Sequence, residues 1–253
     1  MKKFALFFCM PLLIMAYPAK YADIADAEEC IFVLSEQKSG VNWLTSSLQF
    51  LTRRPICPPN FNYKDGMNNR LKVLLDERKP PFVRVHSARA IAKTAPEKNS
   101  LILIYRDYKE NTIRMRGAEN YKKALSEGTL FNNQAKNLAF FDRWPEERRH
   151  LVYYEDLILS PKETLEKVLD FLGEDHGRVK KFMKNLSQYQ QMCLASYDKA
   201  TKGKKFGQSQ SKGADLHFHS KKVSKELLLE ADEIFKDKYP YLWDKYLSHY
   251  ETE

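Results

Sequence analysis

Cys30-Ile31-Phe32-Val33-Leu34-Ser35-Glu36-Gln37-Lys38-Ser39-Gly40-Val41-Asn42-Trp43-Leu44 joins an apolar run, a short polar loop and the start of a helical pattern. An unbroken apolar run of this length suits a strand buried on both faces of a parallel sheet. Apolar residues then recur at helical spacing from Val41 to Leu51. At such a strand-to-helix junction the N–H groups of the loop and helix start point outward and attract anions. Gly40 permits close backbone approach, Lys38 supplies a point charge and Ser39 a hydroxyl. The spacing G-x-x-x-x-G-K-[ST] is absent, which argues against a P-loop-type kinase. An ordinary strand-to-helix turn with a surface lysine would look the same, so the loop alone leaves both readings open.

Three further apolar runs extend the pattern: Pro81–Val85, Leu101–Tyr105 and Leu151–Tyr154. Helical patterns separate them over Asn69–Arg78, Asn111–Ser126 and Leu130–Arg143. Strands alternating with helices predict an α/β fold: one three-layer domain with a central parallel sheet flanked by helices. From Ser160 the chain reads as mostly helical. Ser160-Pro161 starts a helix that Gly173 stops, Val179–Met192 holds one or two more, and Val223–Lys238 another. Between them, 199–222 reads as a basic loop. No internal repeat or linker divides the chain, so 28–253 is one domain.

The chain has 253 residues, 43% apolar and 13% aromatic, enough for a sizeable core and too apolar for disorder. Lys plus Arg number 42 against 33 acidic residues, a net charge of +9, which favours anionic partners without choosing among them. Residues 1–27 open with Lys2-Lys3 and an apolar stretch from Phe4 to Ala16, the form of an export leader. The stretch is short of the ~20 residues that span a bilayer. Export places the domain outside the cell; a retained leader leaves it cytoplasmic. An apolar N-terminal element packed on the domain is the other reading. Four cysteines, Cys9, Cys30, Cys57 and Cys193, form no CxxC or Cys/His cluster, so a zinc site is not expected. Cys30 opens a buried strand and is expected to be a buried thiol. One pair among Cys30, Cys57 and Cys193 stays open for an exported protein.

Lys38-Ser39-Gly40-Val41-Asn42-Trp43 resembles the 5′-phosphosulfate loop of the sulfotransferases, P-K-S-G-T-x-W, with Gln37 in place of Pro and Val41 in place of Thr. Pro81–His86 looks like the family's second strand, which ends in K-T-H; His86 matches its His. Tyr105-Arg106-Asp107-Tyr108-Lys109-Glu110 looks like R-x-P-x-D, and Arg106 matches its Arg. Eight residues on, Arg114 stands where the family has Ser. Val152-Tyr153-Tyr154-Glu155-Asp156-Leu157, with Pro161 and Phe171-Leu172-Gly173, resembles Y-E-D-L…P…F-L-G most literally. The family's C-terminal R-K-G has its nearest counterpart in Ser211-Lys212-Gly213, without the Arg; Lys204 and Lys205 lie nearby.

The resemblance implies a sulfotransferase that uses 3′-phosphoadenosine 5′-phosphosulfate (PAPS) and needs no metal. Lys38 would neutralise the departing phosphate oxygen, and His86 would be the general base. Ser39, Gly40, Val41 and Asn42 would hold the 5′ side. Trp43 and Tyr154 would lie at the adenine, although core packing explains either ring as well. Arg106, Arg114, Lys212 and Gly213 would hold the 3′-phosphate. Glu155 and Asp156 read as helix caps. The implied acceptor is a small molecule, lipid or glycan carrying a hydroxyl or amine, not nucleic acid. Its pocket is expected from 55–80, 115–145 and 187–222. A non-catalytic module that binds nucleotides or anionic ligands is the alternative, because Arg114 and the missing Arg depart from the pattern.

Overall fold

The computed structural model describes residues 29–57, 74–76, 78–127, 131–188 and 216–253. Its centre is a five-stranded parallel sheet: β1 (Ile31–Ser35), β2 (Ile56–Cys57), β3 (Phe82–Val85), β4 (Ser100–Tyr105) and β5 (Arg149–Tyr153). The strand order is β2-β3-β1-β4-β5, so the chain leaves the central β1 first to one side and then to the other. Such a reversal opens a crevice at the carboxyl ends of the strands, where α/β sheets place ligands.

Successive side chains of a strand face opposite ways. Phe32 and Leu34 of β1 enter one core with Val83, Leu101, Leu103, Ile113, Leu138 and Phe235. Ile31 and Val33 enter the other with Leu44, Leu48, Ile102, Leu165, Val168 and Phe182. Both faces are therefore covered, which explains why the strands read as continuous apolar runs. One layer contains α1 (Val41–Thr52), α6 (Pro161–Phe171) and α7 (Val179–Lys184). The other contains α2 (Tyr108–Arg116), α3 (Ala118–Ser126), α4 (Asn132–Arg143) and α8 (Lys225–Lys238), followed by the C-terminal turns. The short α5 (Tyr154–Leu159) follows β5 directly.

Several boundaries differ from the sequence reading. The helix expected over 111–126 begins earlier, at the Asp107 cap, and Gly117 at φ 84° divides it into α2 and α3. Ser160 stands at the N-cap of α6 but makes no side-chain capping bond; Pro161 begins the helix. Gly173 does end it, at φ 64°, with Glu174 N donating to Leu169 O. The short β2 was not expected, because two residues carry no periodicity. Of the helix expected over 69–78, only 74–76 and 78 are described, and they are not helical. The leader, Cys9, Cys193, Lys204, Lys205, Lys212 and Gly213 lie outside the described residues. Cys30 is buried, and its thiol donates to Asn99 Oδ1 at 3.1 Å.

Candidate active site

Four strand ends lie side by side in the order β3, β1, β4, β5, roughly 4.8 Å apart. They carry His86, the Lys38 loop, Arg106 and Tyr154. The loop turns sharply: Lys38 has φ 68° and Gly40 φ 86°. Gly40 sits at the N-cap of α1 with no side-chain cap, so the first N–H groups of α1 face the crevice with the positive end of the helix dipole. A Cβ on Gly40 would lie 2.5 Å from Tyr154 Cδ2, so the close approach requires glycine. Ser39 is buried, and Asn111 of α2 donates to both Ser39 Oγ (3.1 Å) and Gln37 O (2.8 Å). Asn111 of α2 thus ties the loop on both sides of Lys38.

His86 projects from the end of β3 with its Nδ1 edge turned inward. Nδ1 lies 3.2 Å from Ser35 O and 3.1 Å from Ser35 Oγ. A carbonyl only accepts, so the tautomer with hydrogen on Nδ1 suits this contact and leaves the Nε2 lone pair available. Nε2 makes no hydrogen bond among the described residues, and the residue is exposed at the crevice mouth. Partial loss of water around the ring lowers its pKa below the ordinary 6.5; the Ser35 carbonyl opposes this and the Arg84 charge adds to it. Arg84 reaches back to α1, donating to Asn42 Oδ1 at 2.6 Å.

Arg106 follows β4 and is 5% exposed. Nη1 donates to Lys38 O at 3.4 Å, and Nη2 pairs with Glu110 at 3.3 Å. The guanidinium lies over the Tyr154 ring, 4.5 Å from its centroid. Its Nε is buried without a hydrogen-bond partner among the described residues. Glu110 also accepts from His219 N and Ser220 N, docking 216–222 beside Arg106. Arg106, Arg114 and Lys222 all depress the pKa of His219, behind the larger effect of burial, so these cations gather around that segment. Residues 216–222, the described end of the basic loop read over 199–222, thus dock beside Arg106.

Trp43 packs against Phe182 at 6.1 Å, with Nε1 buried and without a hydrogen-bond partner among the described residues. Val41 is in the core beside it. Glu155 and Asp156, read as helix caps, lie in the first turn of α5, whose N-cap is Tyr153 and makes no side-chain capping bond; Glu155 instead accepts from Asp107 N (3.1 Å) and from Tyr250 Oη (2.6 Å), tying the segment after Arg106 to the C-terminal turns. Among the described residues no group of acidic, His or Cys side chains could hold a metal ion. No described helix is long and apolar enough to cross a membrane.

The Gly40 turn, the His86 imidazole and the buried Arg106 guanidinium thus lie together at the carboxyl ends of the strands of an α/β parallel sheet. The chain belongs to the sulfotransferase family: the model described as "Sulfotransferase family" matches residues 16–177, and that described as "Sulfotransferase domain" matches 118–240. No curated protein matches its sequence. Among solved structures it is similar to a mouse sulfotransferase complexed with PAP (TM-score 0.60, 15% identity, 92% of this chain and 94% of that one). It is also similar to retinol dehydratase in a complex with retinol and PAP (0.59, 13%, 86% and 85%). A third is the sulfotransferase domain of a Synechococcus olefin synthase (0.50, 17%, 85% and 97%). At these identities the likeness is one of fold.

Proposed function

We propose that the protein transfers a sulfuryl group from PAPS to a hydroxyl or amine acceptor. One observation carries this reading: the Lys38 loop sits between the His86 base and the buried Arg106 on a single sheet edge, in a chain of the sulfotransferase family. The residues suit a nucleotide with two anionic ends. Among the described residues Nε of Arg106 is a buried donor without an acceptor, and α1 begins with no side-chain cap on its first amides. Arg114 and the 216–222 segment add positive charge near Arg106.

Bound PAPS would supply a sulfuryl group on a phosphate leaving group. His86 Nε2 takes the acceptor's proton as the acceptor's oxygen or nitrogen bonds to sulfur. The bond from sulfur to the bridging phosphate oxygen breaks, leaving adenosine 3′,5′-bisphosphate. Lys38 and the uncapped amides at the start of α1 offset the charge that grows on that oxygen. The lowered pKa of His86 keeps the base unprotonated at neutral pH. The PAP found in similar structures supports this donor, and the retinol in one supports a small-molecule acceptor as the starting class. The leader at 1–27 keeps its reading as an export sequence, which N-terminal sequencing of the mature protein tests.

The test is calorimetric binding of adenosine 3′,5′-bisphosphate, together with ³⁵S transfer from PAPS to a panel of phenols and alcohols. Lys38→Ala and His86→Ala should each lower turnover by roughly 10²–10³. Full turnover in both variants would remove the mechanism; binding without any transfer would favour the non-catalytic module.

A further inference from the structure

Glu36 has no part in the chemistry above. It follows the Ser35 that holds the imidazole, and its carboxyl turns instead toward α4. Oε1 accepts from Asn133 Nδ2 at 2.5 Å and from Asn137 Nδ2 at 2.6 Å. Each amide nitrogen has a second hydrogen, and each lies 3.4 Å from the peptide oxygen of His86. Asn137 Oδ1 in turn accepts from Ala88 N at 2.8 Å. Positions i and i+4 share one helix face, so the two amides act side by side. One carboxyl oxygen thus aims two amides at the end of β3 that carries the imidazole.

We propose that Glu36 is a positioning residue for His86: through Asn133 and Asn137 it pins the main chain from His86 to Ala88 and so fixes where Nε2 faces. Ser35 holds the ring and Glu36 holds the backbone beneath it. The proposal rests on the sulfuryl-transfer reading for its catalytic consequence, though its geometry does not. What the amides need is an acceptor oxygen, which a carboxyl offers whether ionised or not. Burial raises the Glu36 pKa to about 7, so both forms are present near neutrality and the clamp survives the change. Tyr105, buried at the end of β4, feels the Glu36 charge, and Lys38 lies two residues along the same loop.

The experiment uses the full chain with ¹⁵N-labelled histidine, His86 being assigned by the signal lost in His86→Ala. The wild type should show one ring tautomer, with hydrogen on Nδ1. Glu36→Ala should give a mixture of tautomers, and Glu36→Gln, which keeps the acceptor oxygen, should restore the wild-type signals. Should Glu36→Ala fail to fold, Asn133→Ala removes one amide and takes its place. In parallel, with PAPS and p-nitrophenol as substrates, Glu36→Ala should lower kcat by roughly 10–100-fold, with KM for PAPS unchanged. Unaltered ring signals in Glu36→Ala, or a Glu36→Gln as damaged as the alanine variant, would overturn the proposal. A wild type that binds no adenosine 3′,5′-bisphosphate sinks the sulfuryl-transfer reading instead and leaves the tautomer comparison to decide Glu36.

Discussion

Gly40 shows how narrow the tolerance is at single positions. Its φ of 86° and the Tyr154 ring 2.5 Å from a would-be Cβ leave no room for a side chain. Gly40→Ala should cost about 1–2 kcal/mol from backbone conformation alone. Displacement of the ring adds to that and pulls Tyr154 from the Arg106 guanidinium. Thermal unfolding should show the loss, and adenosine 3′,5′-bisphosphate binding should weaken with it; a variant with wild-type Tm and affinity would mean the loop relaxes freely. Lys38, by contrast, holds a positive φ of 68° despite its side chain. Such strain is tolerated where the surroundings over-determine the backbone, and here Arg106 grips the Lys38 carbonyl.

Between elements, the decisive contact joins α2 to the segment that precedes α8. The Glu110 carboxylate is wholly buried and accepts from Arg106, His219 N and Ser220 N. Removing it leaves a buried guanidinium without its partner, which typically costs about 3–5 kcal/mol. Glu110→Ala should therefore lower the denaturant midpoint and speed hydrogen exchange at the amides of His219 and Ser220. Protection of those amides in the variant would show that the segment docks by other means. Asp232 plays the matching part for the C terminus. It accepts from Tyr108 Oη, from Lys109 Nζ at 2.6 Å and from Thr252 N at 2.8 Å, holding the final turns against α2.

At the scale of the whole molecule, stability must vary with pH because carboxyls are buried at the crevice. Asp107, which caps α2, has its pKa raised from 3.8 to about 6, chiefly by burial; Lys109 opposes the rise and Glu155 adds to it. Between those two values the unfolded chain has released the proton that the folded chain keeps. Stability from this group is therefore full below pH 3.8 and declines as pH rises toward 6, then levels off. His86, His150, His219 and His249, with pKa values lowered from 6.5, act in the opposite sense. The clean readout is a difference. Relative to Asp107→Asn, which keeps a capping oxygen, the wild type should lose stability between pH 4 and 6. Parallel denaturant midpoints across that range would show that Asp107 titrates normally.

The alternation of the four longer strands with helices, the buried sheet and the loop that begins at Glu36 were legible in the chain itself. Burial on both faces demands continuous apolar runs, and a tight turn before a helix demands glycine. The roles of Asn111, Asn133 and Asn137 were not legible. Each is a polar residue in a helix, indistinguishable in sequence from any solvent-facing asparagine, until the sheet brings residues 47 to 101 positions away within hydrogen-bond reach. Glu110, which the sequence reading left just ahead of the helix expected over 111–126, anchors a segment 109 residues distant. Periodicity records which face of an element meets the core. Which polar groups meet one another across elements depends on chain crossings that no local pattern encodes, and that was decided only by the tertiary structure.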